Sequence, residues 1–188
     1  MSRELILKHL VGVIAAKGTG GLSVRTVATA AGVAIGTVQH HFPTKSAMLL
    51  AAMETIRPIA VDAYAEAMTA TTADERLRNV VDLLIPSAPS SVVGRVWLAF
   101  AAHSITDAEV SAKYQQLWSS TRDGLATLFA AAAPSAATEA IEGAALEMLA
   151  LLDGLSVTVL TEPGRLSRGQ ARTIAARHVD SLLRWLNE

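Results

Sequence analysis

AGVAIGTVQHHFPTK, running from Ala31 to Lys45, is the stretch whose reading decides the fold. It sets two glycines, a short polar run, adjacent histidines and Phe42-Pro43 side by side. Just upstream, Ser23 is placed to cap a short helix carrying Val24, Val27, Ala28 and Ala31, and Gly32 is placed to end it in the left-handed conformation that favours glycine. A second helix, Ile35 to His41, follows after barely three residues. It must be short, because Phe42-Pro43 biases the chain out of the helical region. A helix of about eight residues, a turn with glycine and a second short helix have the spacing of a helix-turn-helix.

That second helix offers Gly36, Thr37, Gln39 and His40 on its open face, while Val38 and Phe42 point inward at an i, i+4 spacing. Such a helix lies in the major groove of DNA with its first residues toward the base edges. Gly36 lets the backbone approach, Thr37 can touch a thymine methyl or a phosphate, and Gln39 can pair bidentately with adenine, a contact worth about 1–3 kcal/mol of discrimination. Each residue also has a plainer reading. His40 and His41 can be solvated histidines, and neighbours on a helix point about 100° apart, so they do not share a metal. Lys45 and Gln39 can be ordinary surface residues.

From Leu5 to about Met53, and most clearly in LSVRTVATAAGVAIGTVQHHFPTKSAMLLAAM, the chain resembles the N-terminal DNA-binding domain of the TetR/AcrR family of bacterial transcriptional repressors. The Ser23-Val24-Arg25 entry, the Ala31-Gly32-Val33 turn and the His41-Phe42-Pro43-x-Lys45 exit all fall in register. The resemblance implies that Arg25, Thr26, Gly36, Thr37, Gln39, His40 and His41 meet DNA, and that Thr44 and Lys45 hold phosphate at the start of the next helix. A helix N-terminus beside a lysine suits an anion. Three features depart from the family pattern: Ala34 stands where a serine cap is usual, Ile35 is apolar where a polar residue is common, and Gln39 and His40 replace frequent tyrosines.

Outside this stretch the composition sets bounds. About half of the 188 residues are apolar and mean hydropathy is +0.36, enough for a sizeable core. Uninterrupted apolar runs such as Val96 to Ala102 fall far below the roughly 18 residues of a membrane span. No export signal opens the chain. The absence of cysteine excludes disulfides, thiolate metal sites and a cysteine nucleophile, and suits a reducing cytoplasm. The net charge of −1 hides an asymmetry: residues 1–57 carry six basic and two acidic side chains, the remainder ten basic and fifteen acidic. A basic end on an acidic body suits a polyanion-binding head, and chance clustering gives the same pattern.

The remaining pattern predicts an all-α protein, with a first helix from Arg3 to Ala16 and, after Pro58, helices near 59–70, 74–85, 90–104, 107–133, 138–161 and 167–187. Pro58 is expected to kink or interrupt the helix that begins at Thr44-Lys45. The expected organisation is a three-helix DNA-binding domain over 1–57 and a helical domain over 58–188, to which the resemblance gives ligand binding and dimerisation. No catalytic constellation, metal site or cofactor loop is found, so an enzyme is not expected. Near the C-terminus, Met148, Leu152, Leu155 and Val159 are assigned to a two-fold dimer interface with Ile174, His178, Leu182 and Trp185, in a four-helix bundle. A second stripe, Leu146, Leu149, Val157 and Leu160, is left for the other face, and packing within one chain is the competing reading. Trp97, Phe100, His103, Tyr114 and Trp118 are candidates to line an effector pocket, or are simply core aromatics. Asp153 is out of place in an apolar helix and needs a partner if buried. The expectation is therefore a homodimeric repressor on a palindromic operator, released by a small-molecule effector of unknown identity, with no membrane partner. The rival, motivated by Ala34 and Ile35, is a dimeric helical ligand-binding or interaction protein whose DNA binding is weakened or lost.

Overall fold

In the computed structural model, which describes residues 3–188, the elements are α1 (Arg3–Lys17), α2 (Val24–Ala31), α3 (Ile35–His41), α4 (Lys45–Ala67), α5 (Ala73–Leu83), α6 (Val92–Ser104), α7 (Ala108–Ala132), α8 (Thr138–Thr161) and α9 (Arg168–Leu186). No strand occurs among the described residues. The chain folds as two compact units. The first takes residues up to Ala60 together with Ser90–Gln116; the second takes Val61–Pro89 and Leu117–Glu188. This partition cuts the chain differently from a boundary at residue 57. The physical reason lies in α6 and the start of α7, whose Val96, Phe100 and Val110 join the apolar cluster of the N-terminal helices.

The first unit is built on α1, which buries Ile6, Leu10, Val13 and Ile14. Against this stripe pack Val27 and Ala28 of α2, Val38 and Phe42 of the α3 segment, and Met48, Leu49, Ala52 and Ile56 of α4. Polar contacts fix α6 and α7 onto it. Arg95 donates to the Ala15 carbonyl at 3.0 Å, satisfying an end carbonyl of α1 that has no helical partner. Lys113 pairs with Glu54 at 3.3 Å. Asp107 caps α7 by accepting from the Val110 amide at 2.9 Å and also accepts from the Ser46 hydroxyl. The Ser46 bond and then the Val110 amide hold the Asp107 carboxyl below its ordinary pKa.

Of the two outcomes expected at Pro58, a kink or an interruption, the interruption does not occur: α4 is one helix from Lys45 to Ala67 with Pro58 inside it. Proline removes one backbone donor, so the Glu54 carbonyl loses its helical partner. Both Pro58 and Glu54 are exposed, and water can serve that carbonyl. Buried residues anchor the helix before the proline, and Ala67 packs on the second unit's core after it.

The second unit encloses a core of Leu77, Val80 and Val81 from α5, Leu125, Leu128 and Phe129 from α7, and the long apolar faces of α8 and α9. Helix α5 opens with a capping box between Thr72 and Glu75, and α9 with one between Ser167 and Gln170. Arg78 bridges Asp74 at 2.8 Å and Asp180 at 2.7 Å, tying α5 to α9. Asp82 adds a second tie, to Arg168 at 3.3 Å and to Arg172. By length and composition α8 would be able to cross a bilayer, but half of its most apolar stretch is buried in this unit.

Candidate nucleic-acid interface

Local chemistry explains how α2 and α3 are presented. Ser23, in extended conformation, accepts from the Thr26 amide at 3.0 Å and so caps α2. Gly32 takes φ 64° and ψ 36°, and the Val33 amide reaches back to the Ala28 carbonyl at 3.0 Å. The left-handed glycine closes α2 and turns the chain directly into α3. Val38 is buried and Phe42 nearly so, pinning α3 from beneath. The Arg3 guanidinium lies over the Phe42 ring, 5.4 Å from its centre, in a cation–π contact.

With Val38 and Phe42 committed inward, Gly36, Gln39 and His40 are exposed, and Thr37 and His41 are half-buried. A Cβ built at Gly36 would meet nothing, so no packing inside the unit demands glycine there. The His40 and His41 rings meet edge-on with centres 5.3 Å apart. Arg25 is exposed and Lys45 half-exposed, and among the described residues neither forms an ion pair. Thr26 is partly engaged, its hydroxyl 2.8 Å from that of Ser23. Thr44 caps α4 by accepting from the Ala47 amide at 3.0 Å, which leaves its hydroxyl proton free to donate. All nine residues assigned to DNA by the sequence belong to the first unit, on α2, on α3 and at the start of α4, with Thr44 as its cap and Lys45 its first residue. Arg25 and Thr26 also border an open groove of about 640 Å³ between α1 and α2, with Lys8 and Lys17 along it. In the sequence those two lysines count toward the basic excess of residues 1–57 and were not assigned to the DNA-contact set.

The candidate effector residues are divided between the two units. Phe100 is fully buried in the core of the first unit, its ring 6.2 Å from that of Tyr114, so it lines no open pocket. Trp97, His103 and Tyr114 belong to that same unit, and Trp118 belongs to the second. An aromatic at helical spacing fills a core as readily as a pocket, and Phe100 does the former.

Within the second unit, Trp118 leads to a residue the sequence flagged without assigning a role. Asp153, half-buried on α8, has the Trp118 side chain of α7 close enough to favour its charged form. Burial pushes its carboxyl up to about 6, against the smaller opposing effect of that side chain. Among the described residues no cationic side chain pairs with it. The clue in the sequence was an acid inside an apolar helix; its lack of a counter-charge became visible only in three dimensions.

The dimer assignment requires correction. Met148, Leu152, Leu155 and Val159 of α8 and Leu182 of α9 are buried in their own chain's core. They cannot form the surface offered to a second subunit. Apolar periodicity identifies a face that seeks burial but not its partner, and the wider stripe went inside. The second stripe is divided: Leu149 and Leu160 are buried, whereas Leu146 is 60% and Val157 38% exposed. On α9, Trp185 is 53% exposed, and Ile174 and His178 are half-buried. His178 Nε2 lies 3.0 Å from Glu147 Oε1.

Comparison with known proteins identifies the family to which this helical fold belongs. Residues 6–52 match the family model of bacterial regulatory proteins of the tetR family, and residues 73–184 match the C-terminal model of BetI-type transcriptional repressors. The chain belongs to the TetR family of transcriptional regulators. The HTH-type transcriptional regulator PksA of Bacillus subtilis is 25% identical over 184 residues, covering 96% of this chain and 89% of that protein. A transcriptional regulator from Rhodococcus sp. Rha1 superposes with a TM-score of 0.87 at 26% identity, covering 100% of this chain and 99% of that one. Another, from Saccharomonospora viridis in complex with choline, gives a TM-score of 0.84 at 25% identity, with 95% of each chain covered. As a TetR-family regulator the protein is all-helical with a helix-turn-helix, as its sequence indicates.

Proposed function

We propose that this TetR-family regulator is a cytoplasmic homodimeric repressor that binds a palindromic operator and is released by a small organic cation. The observation that carries the DNA reading is the outward face of α3, rigidly backed by Val38 and Phe42 and flanked by Arg25 and Lys45, both without ion pairs among the described residues. In a two-fold dimer the paired recognition helices enter successive major grooves about 34–36 Å apart. Gln39 and Thr37 read bases, His40 and His41 extend the contact, Gly36 allows close approach, and Arg25, Thr26, Thr44 and Lys45 hold phosphates. The dimer face that remains after the correction is Leu146 and Val157 of α8, with the small Gly143, Ala150 and Gly154 on the same exposed side, and Ile174, His178 and Trp185 of α9.

For the effector, Asp153 is the supporting observation. A half-buried carboxylate without a counter-ion, beside an indole, suits an alkylammonium ligand through charge and cation–π attraction. The structural relative solved with choline makes choline the first compound to try. Helices α4 and α7, which contribute to both units, are the parts through which a ligand in the second unit would act on the first.

Binding of labelled duplex, measured by fluorescence anisotropy over a salt series, tests the DNA reading. Lys45→Ala is expected to weaken all sequences alike and to reduce the slope of log affinity against log salt by about 0.9 for its one phosphate. Gln39→Ala should instead relax preference at one base pair per half-site. Unchanged DNA retention in both variants would favour the rival reading, a dimeric ligand-binding or interaction protein.

A further inference from the structure

Ile35 opens α3 with its side chain 47% exposed. A β-branched residue is not required there for folding. Its neighbour Val33 packs on the apolar cluster of the first unit, and Ile35 does not. Ala34 before it contributes no cap, and Gly36 after it faces open space. The first turn of α3 thus carries no side-chain hydrogen-bonding group at residues 34, 35 or 36, and one large hydrocarbon projecting into water. One turn on, Gln39 lies on the same side of the helix at the i+4 position and is also exposed.

The surroundings say what would cover this hydrocarbon. Ile35 sits on the unit that carries the chain's excess of basic residues, Arg25 and Lys45 among them, so a polyanion is the complementary surface. On that polyanion one apolar group protrudes from the base edges into the major groove, the thymine 5-methyl. The first residues of a recognition helix are those that reach the base edges. We propose that Ile35 is a specificity-determining residue that packs against a thymine 5-methyl group in each operator half-site. This rests on the DNA-binding reading above and adds to it a base preference that needs no hydrogen bond. The apolar residue that departs from the family pattern then selects the operator.

The test removes one methyl at a time. Operator sequences are selected from a random duplex library with the full-length protein at physiological salt. Each thymine of the selected site is then replaced by deoxyuridine, which deletes the 5-methyl and leaves the hydrogen-bonding groups intact. For wild type, replacement at one position in a single half-site is expected to weaken binding about four-fold, the factor for exposing one buried methyl, and replacement in both half-sites about fifteen-fold. Ile35→Ser should bind the thymine and uracil duplexes equally, while Ile35→Val should keep most of the penalty. Lys45→Ala should bind more weakly overall and keep the full penalty. Circular dichroism and thermal melting confirm that each variant is folded, as expected at an exposed position. If symmetric sites are selected but no uracil replacement matters, or if the penalty survives in Ile35→Ser, the assignment of Ile35 is wrong while DNA binding stands. If no sequence is enriched, both readings fail.

Discussion

Replacing Asp153 by Asn removes a titratable group from α8 and keeps an oxygen for the Trp118 side chain to meet. The carboxyl is shifted by burial from its ordinary value of 3.8 to about 6. At 1.36 kcal/mol per pKa unit the gap corresponds to about 3 kcal/mol, and water reaching a half-buried group brings it to about 2–3 kcal/mol. The sign follows from proton binding. The unfolded chain gives up this proton near pH 4 and the folded chain only near pH 6, so between them the folded state binds more protons. Stability is therefore lost as pH rises through that window and stays lost above it.

Asp153→Asn does not titrate, so at pH 7.5 it is expected to be more stable than wild type by about 2–3 kcal/mol, a gap that shrinks to well under about 1 kcal/mol by pH 4. Urea denaturation of both proteins at one concentration across pH 4–7.5 measures this. The carboxyls held low, such as Asp107 by Ser46 and the Val110 amide, titrate in both proteins and cancel. Thermal melting at pH 7.5 should show a rise of roughly 6–9 °C, at about 3 °C per kcal/mol for a chain of this size. Choline should raise the melting temperature of wild type at pH 7.5 and leave Asp153→Asn unmoved. A stability gap that is the same at both ends of the pH range would refute the buried-charge argument. Equal stabilisation of both proteins by choline would refute the cation site.

Leu146→Arg places a charge on the exposed side of α8 and is expected to give a monomer by sedimentation equilibrium with unchanged helical circular dichroism; Met148→Ala should stay dimeric and lose about 2–5 kcal/mol of stability, because Met148 lies in the core of its own chain. Ala34→Ser supplies the missing side-chain cap at an extended residue (φ −64°, ψ 145°), so amide exchange in α3 should slow about five-fold, the equivalent of about 1 kcal/mol.

The parts of the fold that were legible in sequence are those decided within a few residues. Ser23, Gly32 and Phe42-Pro43 set the bounds of α2 and α3 through a cap, a left-handed turn and a proline restriction, and the helices begin and end there. Pro58 did not end its helix, because proline costs one backbone hydrogen bond and buried residues such as Leu49, Ala52 and Ile56 anchor α4 before it. The interface residues on α8 were misassigned. Two apolar stripes share that helix, and only the packing of α5, α7 and α9 determines that Met148, Leu152 and Leu155 are enclosed while Leu146 and Val157 are left out. The outward-facing set on α3 was legible because it coincides with a local motif, with Val38 and Phe42 turned inward and Gly36, Gln39 and His40 left exposed. The anomaly at Asp153 needed a fold, since being unpaired is a property of everything around a residue.

The magnitude at Asp153 also bears on whether one carboxylate per chain is enough to operate a switch. Moving a two-state equilibrium from 1:99 to 99:1 requires about 5.5 kcal/mol of differential binding. In the proposed dimer two copies of Asp153, each at a burial cost on the order of 2–3 kcal/mol while ionised and unpaired, give a cost of the same order as that requirement. A cation that neutralises both carboxylates in the released state, and is excluded from them in the DNA-bound state, draws on a reserve of the required size. An uncharged ligand of the same shape does not relieve that cost and must find the whole difference in packing. On the proposed cation site the effector's charge, rather than its bulk, determines release, and a neutral isostere of choline is expected to leave the operator complex intact at concentrations where choline dissolves it.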